Sequence, residues 1–352
     1  MYYGKQNLHA YFKRQKREFD ALKTLGIDVK SLILPLIEVP SVPWDYVNDR
    51  ENSTIEKQIA STVKSIVSVW DSSDAILLDT NNLDERFNGN KLTINALMDG
   101  LIEEEYSPIP VIHINTSDDI LQQLVYQENI CIRVNFEDQE EFDINDQIKR
   151  ILESVGCKLS NVILLLDMNY LLPQNIHMAQ VSSKALINSI NNLNQFKDFY
   201  FASTSFPMNL SSCKTNSTTQ IDRIEVVLYR YFELQADKLT RMPKFSDYVI
   251  SNPDIEGMDP RLMTIGASIR YTDENTWYIF KGASIKKHGS EQYYELSRNI
   301  LNSGIFSGEF FSWGDKQIKD KANDIGGPGN STTWRQIGTN HHITFVVKQI
   351  SN

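Results

Sequence analysis

The sequence predicts a parallel α/β protein, read here as a (β/α)8 TIM-like barrel with C-terminal α/β additions, the alternative being an open doubly wound parallel sheet. Three observations lead there. Short apolar runs of strand length recur along the chain, longer amphipathic stretches separate them, and most of the runs carry a polar residue near their C-terminal end. Strands that alternate with helices need crossover connections, and crossovers make parallel sheets.

The runs are LILPLIEV (32–39), AILLDT (75–80), IPVIHIN (109–115), ICIRVNF (130–136), NVILLLDM (161–168) and FYFASTSFP (199–207). Each is rich in Ile, Leu, Val or aromatic residues without strict alternation, as expected of strands buried on both faces. Between them lie the helix candidates STIEKQIASTVKSIVSVW (53–70), DDILQQLVYQ (118–127), DINDQIKRILESVG (143–156) and SSKALINSINNLNQF (182–196). The stretch IDRIEVVLYRYFELQADKL (221–239) is expected as the sixth helix, SDYVI (246–250) as the seventh strand and MTIGASIRYT (263–272) as the eighth. That count fits a closed barrel. With no internal repeat and no low-complexity linker, the expected organisation is one domain over 1–352, with 273–352 an extension packed on it.

Composition excludes several classes. At 352 residues, 41% apolar and 23% charged, the chain is long enough for a substantial core and has no run of the eighteen or so apolar residues that cross a bilayer. The N-terminus is basic but has neither an apolar core nor a cleavage site, so a cytoplasmic location is expected. Cys131, Cys157 and Cys213 are widely spaced and form no CxxC pair, which argues for reduced thiols over a disulfide framework or a zinc site. A net charge of −10 opposes strong binding to duplex nucleic acid. Two local basic patches remain, Lys13, Arg14, Lys16 and Arg17 near the start and Lys281, Lys286, Lys287 and His288 late in the chain. Each also reads as an ordinary solvated face.

The chemistry is expected where polar residues interrupt the apolar runs. Glu38, Asp79, His113, Arg133 and Asp167 stand toward the C-terminal ends of five runs, and Ser203 and Ser205 close the sixth. Side chains alternate along a strand, so Leu34, Leu36 and Glu38 share one face, as do Val111 and His113, or Ile163, Leu165 and Asp167. Both barrels and open α/β sheets bind ligands at that edge. The plainer reading of each residue is a cap on the next helix or turn. If the groups meet, buried carboxylates and an Arg require mutual pairing, water, a metal or an anionic ligand. Glu38, Asp79 and Asp167 would suit Mg²⁺ or Mn²⁺, with His113 as a further ligand or general acid/base. Arg133 and Arg270 would suit a phosphate or carboxylate. This set is compatible with metal-assisted hydrolysis of a nucleotide or nucleic-acid phosphate, but no HExxH, GxSxG, Walker A or GxGxxG motif accompanies it.

Late in the chain, FSDYVI, ASIRYTDENTWYIFKGASIKKHGSEQYYELS, FSWGDKQI and GGPGNSTTWRQIGTNHHITFVV follow one another, and early on KRQKREFDALKTL leads into ILPLIEVPSVPWD. In this order the strings resemble the prokaryotic and phage beta protein family over almost the whole chain, with a departure from its pattern at Lys16 and Arg17. The family takes its name from a phage-satellite protein that acts beside a host-killing gene in excluding competing phage. The resemblance therefore implies antiphage defence with a toxin or effector partner, or recognition of a phage component, and implies no established reaction.

The remaining candidates are ligand-binding ones: Ser205 and Asp247 at strand ends, Arg270 beside Arg133 in the mouth, Lys281 and His288 in the late basic patch, whose Lys286, Lys287 and His288 read as a charged loop or as an anion-binding rim, and Arg335 and His341 after the glycine turn. GGPGNSTTWR lacks the Lys and spacing of a P-loop; Thr333 and Gln336 match a capping box for a helix starting near Trp334, whose N-terminus could still bind an anion. His341 and His342 are adjacent and cannot chelate as an i, i+4 pair, so one is expected in the core and one at a pocket. In SWGD, Trp313 is expected to be buried and Asp315 to be an N-cap, and a helix is expected to start at Ser290. ITFVVKQI fits strand or helix equally.

Overall fold

The computed structural model describes residues 8–13, 16–71, 73–88, 90–124, 128–253 and 266–351, with side chains from residue 18 onward. The side chains of the N-terminal basic patch, Lys13, Arg14, Lys16 and Arg17, lie outside the described residues, as do 125–127 of one expected helix and 263–265 of the expected eighth strand.

In chain order the strands are β1 (Leu8–Lys13), β2 (Ile33–Glu38), the hairpin β3 (Trp44–Asp45) and β4 (Arg50–Glu51), β5 (Ile76–Asp79), the hairpin β6 (Arg86–Phe87) and β7 (Lys91–Leu92), β8 (Pro108–His113), β9 (Ile130–Asn135), β10 (Val162–Tyr170), β11 (Asp198–Thr204), β12 (Ser217–Asp222), β13 (Lys244–Asp247), β14 (Gly266–Thr272) and β15 (Thr276–Ser284). Seven of them, β2, β5, β8, β9, β10, β11 and β13, form a parallel half-barrel in sequence order. The N-terminal β1 pairs in parallel with both β2 and β13, the first and last of these strands.

All six expected runs are strands of this sheet. Burial on both faces explains why they read as nearly continuous apolar stretches. Leu34, Leu36, Leu77, Val111, Cys131, Ile163 and Leu165 pack together on the inner face. Their chain neighbours, such as Ile33, Ile37, Leu78, Ile112, Ile132, Leu164 and Leu166, pack outward with the helices. Those helices are α1 (Lys16–Lys23), α2 (Ile27–Lys30), α3 (Ile55–Val67), α4 (Thr93–Ile102), α5 (Asp118–Leu121), α6 (Ile144–Val155), α7 (Ile176–Ser189) and α8 (Ile224–Leu234). Their starts are conventional. Thr54 caps α3 by accepting from Lys57 N, and Asp143 caps α6 by accepting from Asn145 N and Asp146 N, so neither helix leaves all its first amides unpaired.

Two strands differ from expectation: β13 covers Lys244–Asp247 in place of 246–250, and the expected eighth strand pairs in another way. β14, within the run MTIGASIRYT, is not the eighth parallel strand: it pairs antiparallel with β15, which pairs antiparallel with β12. TDENT supplies the short connection a hairpin allows, whereas a parallel neighbour would need a crossover. The strand beside β2 and β13 is β1, in a stretch whose charges masked it.

Helices α9 (Ile285–His288), α10 (Gln292–Asn302), α11 (Trp313–Ala322) and α12 (Ser331–Ser351) complete the chain. Ile269, Tyr271, Phe280, Tyr293, Ile318 and Trp334 form a second core between the three-stranded sheet and these helices. Trp277 and Ile279, with Ile343, Val346 and Val347, belong instead to the main core, so β15 and α12 join the two. ITFVVKQI is helical, the last part of α12. This helix is buried almost all round from Trp334 to Val347, which removes the one-sided periodicity that marks a surface helix. It starts at Ser331, three residues earlier than expected, because Asn330 caps it: Thr333 N donates to Asn330 Oδ1 at 3.1 Å and Asn330 N to Thr333 Oγ1 at 3.4 Å. Likewise Ser312, and not Asp315, caps α11 by accepting from Asp315 N, and α10 begins at Gln292 rather than Ser290. Among the described residues no helix is long and apolar enough to cross a membrane.

Candidate functional site at the strand ends

Inner-face alternation carries Glu38, Asp79, His113, Arg133 and Asp167 to the same end of the sheet. Register sets their order: Glu38 stands beside Asp79, and His113 beside Arg133. All five are buried, Asp79 and Asp167 with no exposed surface. The sequence expected them to meet, and they do.

Arg133 is the centre. Its Nη1 donates to Asp79 Oδ2 at 2.7 Å and lies 3.6 Å from Glu38 Oε1. Nε donates to Asp167 Oδ2 at 3.0 Å, and Nη2 donates to Tyr248 Oη at 3.0 Å. Tyr248 in turn donates to Asp167 Oδ2 at 2.5 Å. His113 Nε2 lies 3.0 Å from Asp79 Oδ2. A planar guanidinium with five donors suits this arrangement, because it can face two carboxylates at once.

The capping and clustering readings of the aspartates turn out to be compatible. Asp79 Oδ1 accepts from Asn81 N at 2.9 Å, and Asp167 Oδ1 accepts from Asn169 N at 2.9 Å. One oxygen of each carboxylate closes a turn, leaving the other for Arg133. At Asp167 the register of β10 slips and Asn169 takes a φ of 53°, a bulge of the kind that re-aims side chains beside sites.

Electrostatics follow from burial and pairing. Burial pushes the Asp79 carboxyl up, but His113, Arg133 and the Asn81 amide outweigh it and hold Asp79 below the usual carboxylate range. Burial, with Asp167 beside it, raises the Tyr248 hydroxyl well above its ordinary value, so Tyr248 acts as a neutral donor. Cys131, one turn of the alternation below Arg133, is raised chiefly by burial and is inert as a nucleophile. All three cysteines are free.

Glu38, Asp79 and Asp167 are gathered around the Arg133 cation, and among the described residues no group of three or more His, Cys, Asp and Glu side chains is placed to hold a metal ion. A fixed positive charge, the Arg133 guanidinium, lies among the three carboxylates.

Most of the other candidates lie elsewhere. Ser205 accepts from Ile224 N at 2.8 Å and lies 2.8 Å from Glu225 Oε2, at the start of α8. Asp247 faces outward: its Oδ1 accepts from Val249 N and its Oδ2 pairs with His342 Nε2 at 2.8 Å. Lys281 donates to the carbonyls of Leu210 and Cys213, tying down a loop. His288 is exposed and lines a separate cavity with Asn216, Gly282 and Gln292. Arg270 stacks its guanidinium 5.4 Å from the Phe206 ring centroid, and Arg335 Nη2 donates to Ser251 Oγ at 3.0 Å.

His341 and His342 are both core residues, contrary to the expected split. His341 Nδ1 meets Asp315 Oδ2 and its Nε2 meets the Thr272 carbonyl, each at 2.8 Å. His342 Nδ1 faces Thr272 Oγ1 at 2.8 Å, opposite Asp247. The GGPGN turn is likewise structural in what it touches: Trp334 Nε1 donates to the Pro328 carbonyl at 2.9 Å, and Gly326 and Gly329 hold φ of 70° and 76°.

Comparison with known proteins now bears on this geometry. The beta protein family model matches residues 10–348, nearly the whole chain. The chain belongs to the beta protein family. No curated protein matches it. The match covers the half-barrel, the Arg133 cluster and the C-terminal α/β elements together, so the two cores form one family unit in sequence.

Sequence reasoning passed over Tyr248 and Asn169. Tyr248 was within the expected strand SDYVI, and alternation from Ser246 would have assigned it, rather than Asp247, to the inner face. Asn169 follows a repeated pattern, DTN at 79–81 and DMN at 167–169, in which the Asp closes a turn on the residue two positions on.

A cavity of about 120 Å³ adjoins the cluster between the ends of β5 and β8, and both Asp79 and His113 line it.

Proposed function

We propose that this beta family protein is a (β/α)8 barrel whose C-terminal strand ends form the ligand site of a cytoplasmic antiphage-defence component, acting with a toxin or effector partner. The carrying observation is the convergence of Asp79, His113, Arg133 and Asp167 from four neighbouring strands beside a cavity lined by two of them. Buried, mutually bonded polar groups at a strand-end edge hold a recognition surface fixed before the ligand arrives. Family membership supports the defence role, and the parallel pairing of β1 with β2 and β13 supports closure of the barrel. The one-domain organisation, with 273–352 as an extension, draws support from the main-core side chains contributed by β15 and α12. The acidic charge supports a ligand or partner other than duplex nucleic acid. The metal-dependent phosphodiesterase alternative has no donor set behind it among the described residues.

The test is phage plating on cells that express the chain with its neighbouring genes, on cells lacking only this chain, and on cells carrying His113→Gln. Reduced plating that requires both the chain and His113 supports the reading. Equal plating on all three strains sinks it.

A further inference from the structure

We infer that the outward face of the neighbouring helices α7 and α8 binds a second copy of this chain, in a two-fold arrangement that lays each helix antiparallel over its own counterpart. The face lies outside the sheet and the Arg133 cluster on its inner side, so the two surfaces are separate.

Both helices are apolar on two sides. Their inward sides, Ala179, Leu186 and Ile187 of α7 and Ile224, Leu228 and Phe232 of α8, belong to the main core. On the outward side Met178, Val181 and Ala185 stand at i, i+3 and i+7, and Val227, Tyr231 and Leu234 at i, i+4 and i+7, the spacing of a seam between packed helices. Met178, Val181 and Leu234 are 77%, 69% and 79% exposed. A helix apolar on more than one side is ordinarily covered on each of them. Lys184 Nζ donates to Gln235 Oε1 at 3.1 Å and Asn188 Nδ2 to the Lys238 carbonyl at 3.0 Å. These bonds hold the two helices side by side in advance, which lowers the ordering cost of association.

Charge identifies the occupant. Lys184 is the only Asp, Glu, Lys or Arg between Met168 and Phe196, although 23% of the whole chain is charged. The preceding helix gives the contrast: the exposed positions of α6 are Asp146, Lys149 and Glu153, whereas those of α7 are His177, Met178, Val181, Ala185, Asn188 and Ser189. Loss of charge together with exposed Met and Tyr marks the centre of a protein interface rather than a solvated face. Two copies of net charge −10 repel each other, and a face without acids lets them meet with no like charges in contact. A two-fold contact must also be complementary to itself. Antiparallel overlap sets Met178 of each copy over Ala185 of the other, and Val227 over Leu234. Along the rim of α8 the same overlap brings Arg230 against Glu233, the two exposed charges of that helix. A strongly charged partner would find only this cancelling pair beside Lys184. Two helices of this length side by side make a face roughly 20 Å square, at the small end of protein interfaces, so the dimer exchanges with monomer at micromolar concentration.

Sedimentation velocity of the purified full chain at pH 7.5, over about 1–200 µM to bracket that weak class, should show a reversible dimer. Val181→Glu on α7 and Leu234→Lys on α8 each alter an exposed side chain, and unchanged urea midpoints check that the fold is kept. Each puts a charge into the apolar contact and should weaken the dimer at least about tenfold. Arg230→Glu alone and Glu233→Arg alone set like charges opposite one another in their own dimers, whereas an equimolar mixture of the two variants pairs opposite charges throughout. The mixture should therefore dimerise more tightly than either component, by about threefold or more. A chain that stays monomeric over the whole range, self-association that neither Val181→Glu nor Leu234→Lys weakens, or a mixture no tighter than its components would each overturn the inference. So would a monomeric chain that binds the product of a neighbouring gene through this face and releases it in Val181→Glu, since the face would then belong to a different partner.

Discussion

Replacing Arg133 with Met keeps most of the side-chain volume and removes a cation that Asp79, Asp167 and Glu38 share. Both aspartates have no exposed surface, and each directs Oδ2 at the guanidinium. Breaking a buried ion pair from one side costs about 3–5 kcal/mol, because the partner stays charged and uncompensated. With two fully buried partners, the upper half of that range is expected. Unfolding entropy near 2.1 cal/mol/K per residue over the whole chain converts about 3–5 kcal/mol into a Tm loss of about 4–7 °C. Calorimetry and urea unfolding at pH 7 measure both quantities. The pH dependence adds a sign. Without Arg133 the buried carboxyls rise above their unfolded values, so the variant gains stability as pH falls and they protonate. In the unaltered protein Asp79 is held low, and its contribution is present above the unfolded value of about 3.8 and lost as pH falls through the lower folded one. The gap between the two proteins should therefore narrow from pH 7 to pH 4. Adding Asp79→Asn and Asp167→Asn to Arg133→Met should restore part of the loss. An Arg133→Met protein within about 1 kcal/mol of the original, well below the cost of a broken buried pair, would refute the assignment of Arg133 as the buried counter-charge.

Three further outcomes are expected. Gly314→Ala brings a Cβ to 2.5 Å from the Ile337 carbonyl oxygen and 3.2 Å from His341 N, so α11 and α12 must part; overpacking of this kind costs about 1–3 kcal/mol, measurable as a lower urea midpoint. Ser312→Ala removes the cap that accepts from Asp315 N at 3.0 Å and should cost about 1 kcal/mol, with hydrogen exchange rising first at the start of α11. Burial lowers His342 below its ordinary 6.5, an effect only partly offset by Asp247, so the unfolded chain takes up the proton first and stability should fall as pH drops through 6.5 toward the lower folded value. Urea midpoints at pH 7.5 and 5.5 should differ in that direction, and less so in His342→Gln.

The half-barrel was legible because burial on two faces writes itself as apolar runs, and all six runs proved to be its strands. The small antiparallel sheet was not. Gly266–Thr272 has the composition of any strand, and only the three residues that separate it from Thr276–Ser284, too few for a crossover, distinguish a hairpin from one more parallel strand. The strand at Leu8–Lys13 was hidden for the opposite reason, since a basic neighbourhood looks like a solvated arm. Helix α12 was ambiguous because it is packed from several sides, and a helix that buries its whole circumference loses the 3.6-residue signature.

The site was legible as far as alternation reached. Glu38, Asp79, His113, Arg133 and Asp167 share their inner face with apolar residues two positions earlier, and counting by twos is enough to gather them. The same count misassigns Asp247 only if its charge is allowed to outweigh its parity, for Ser246 and Tyr248 hold the inner positions and Asp247 turns out to His342. What alternation could not supply is the relation among the charges. Three carboxylates at strand ends suggest a divalent cation, and one Arg beside them suggests an anion. Only their placement shows that Arg133 supplies the positive charge to Asp79 and Asp167, so that each answers the other.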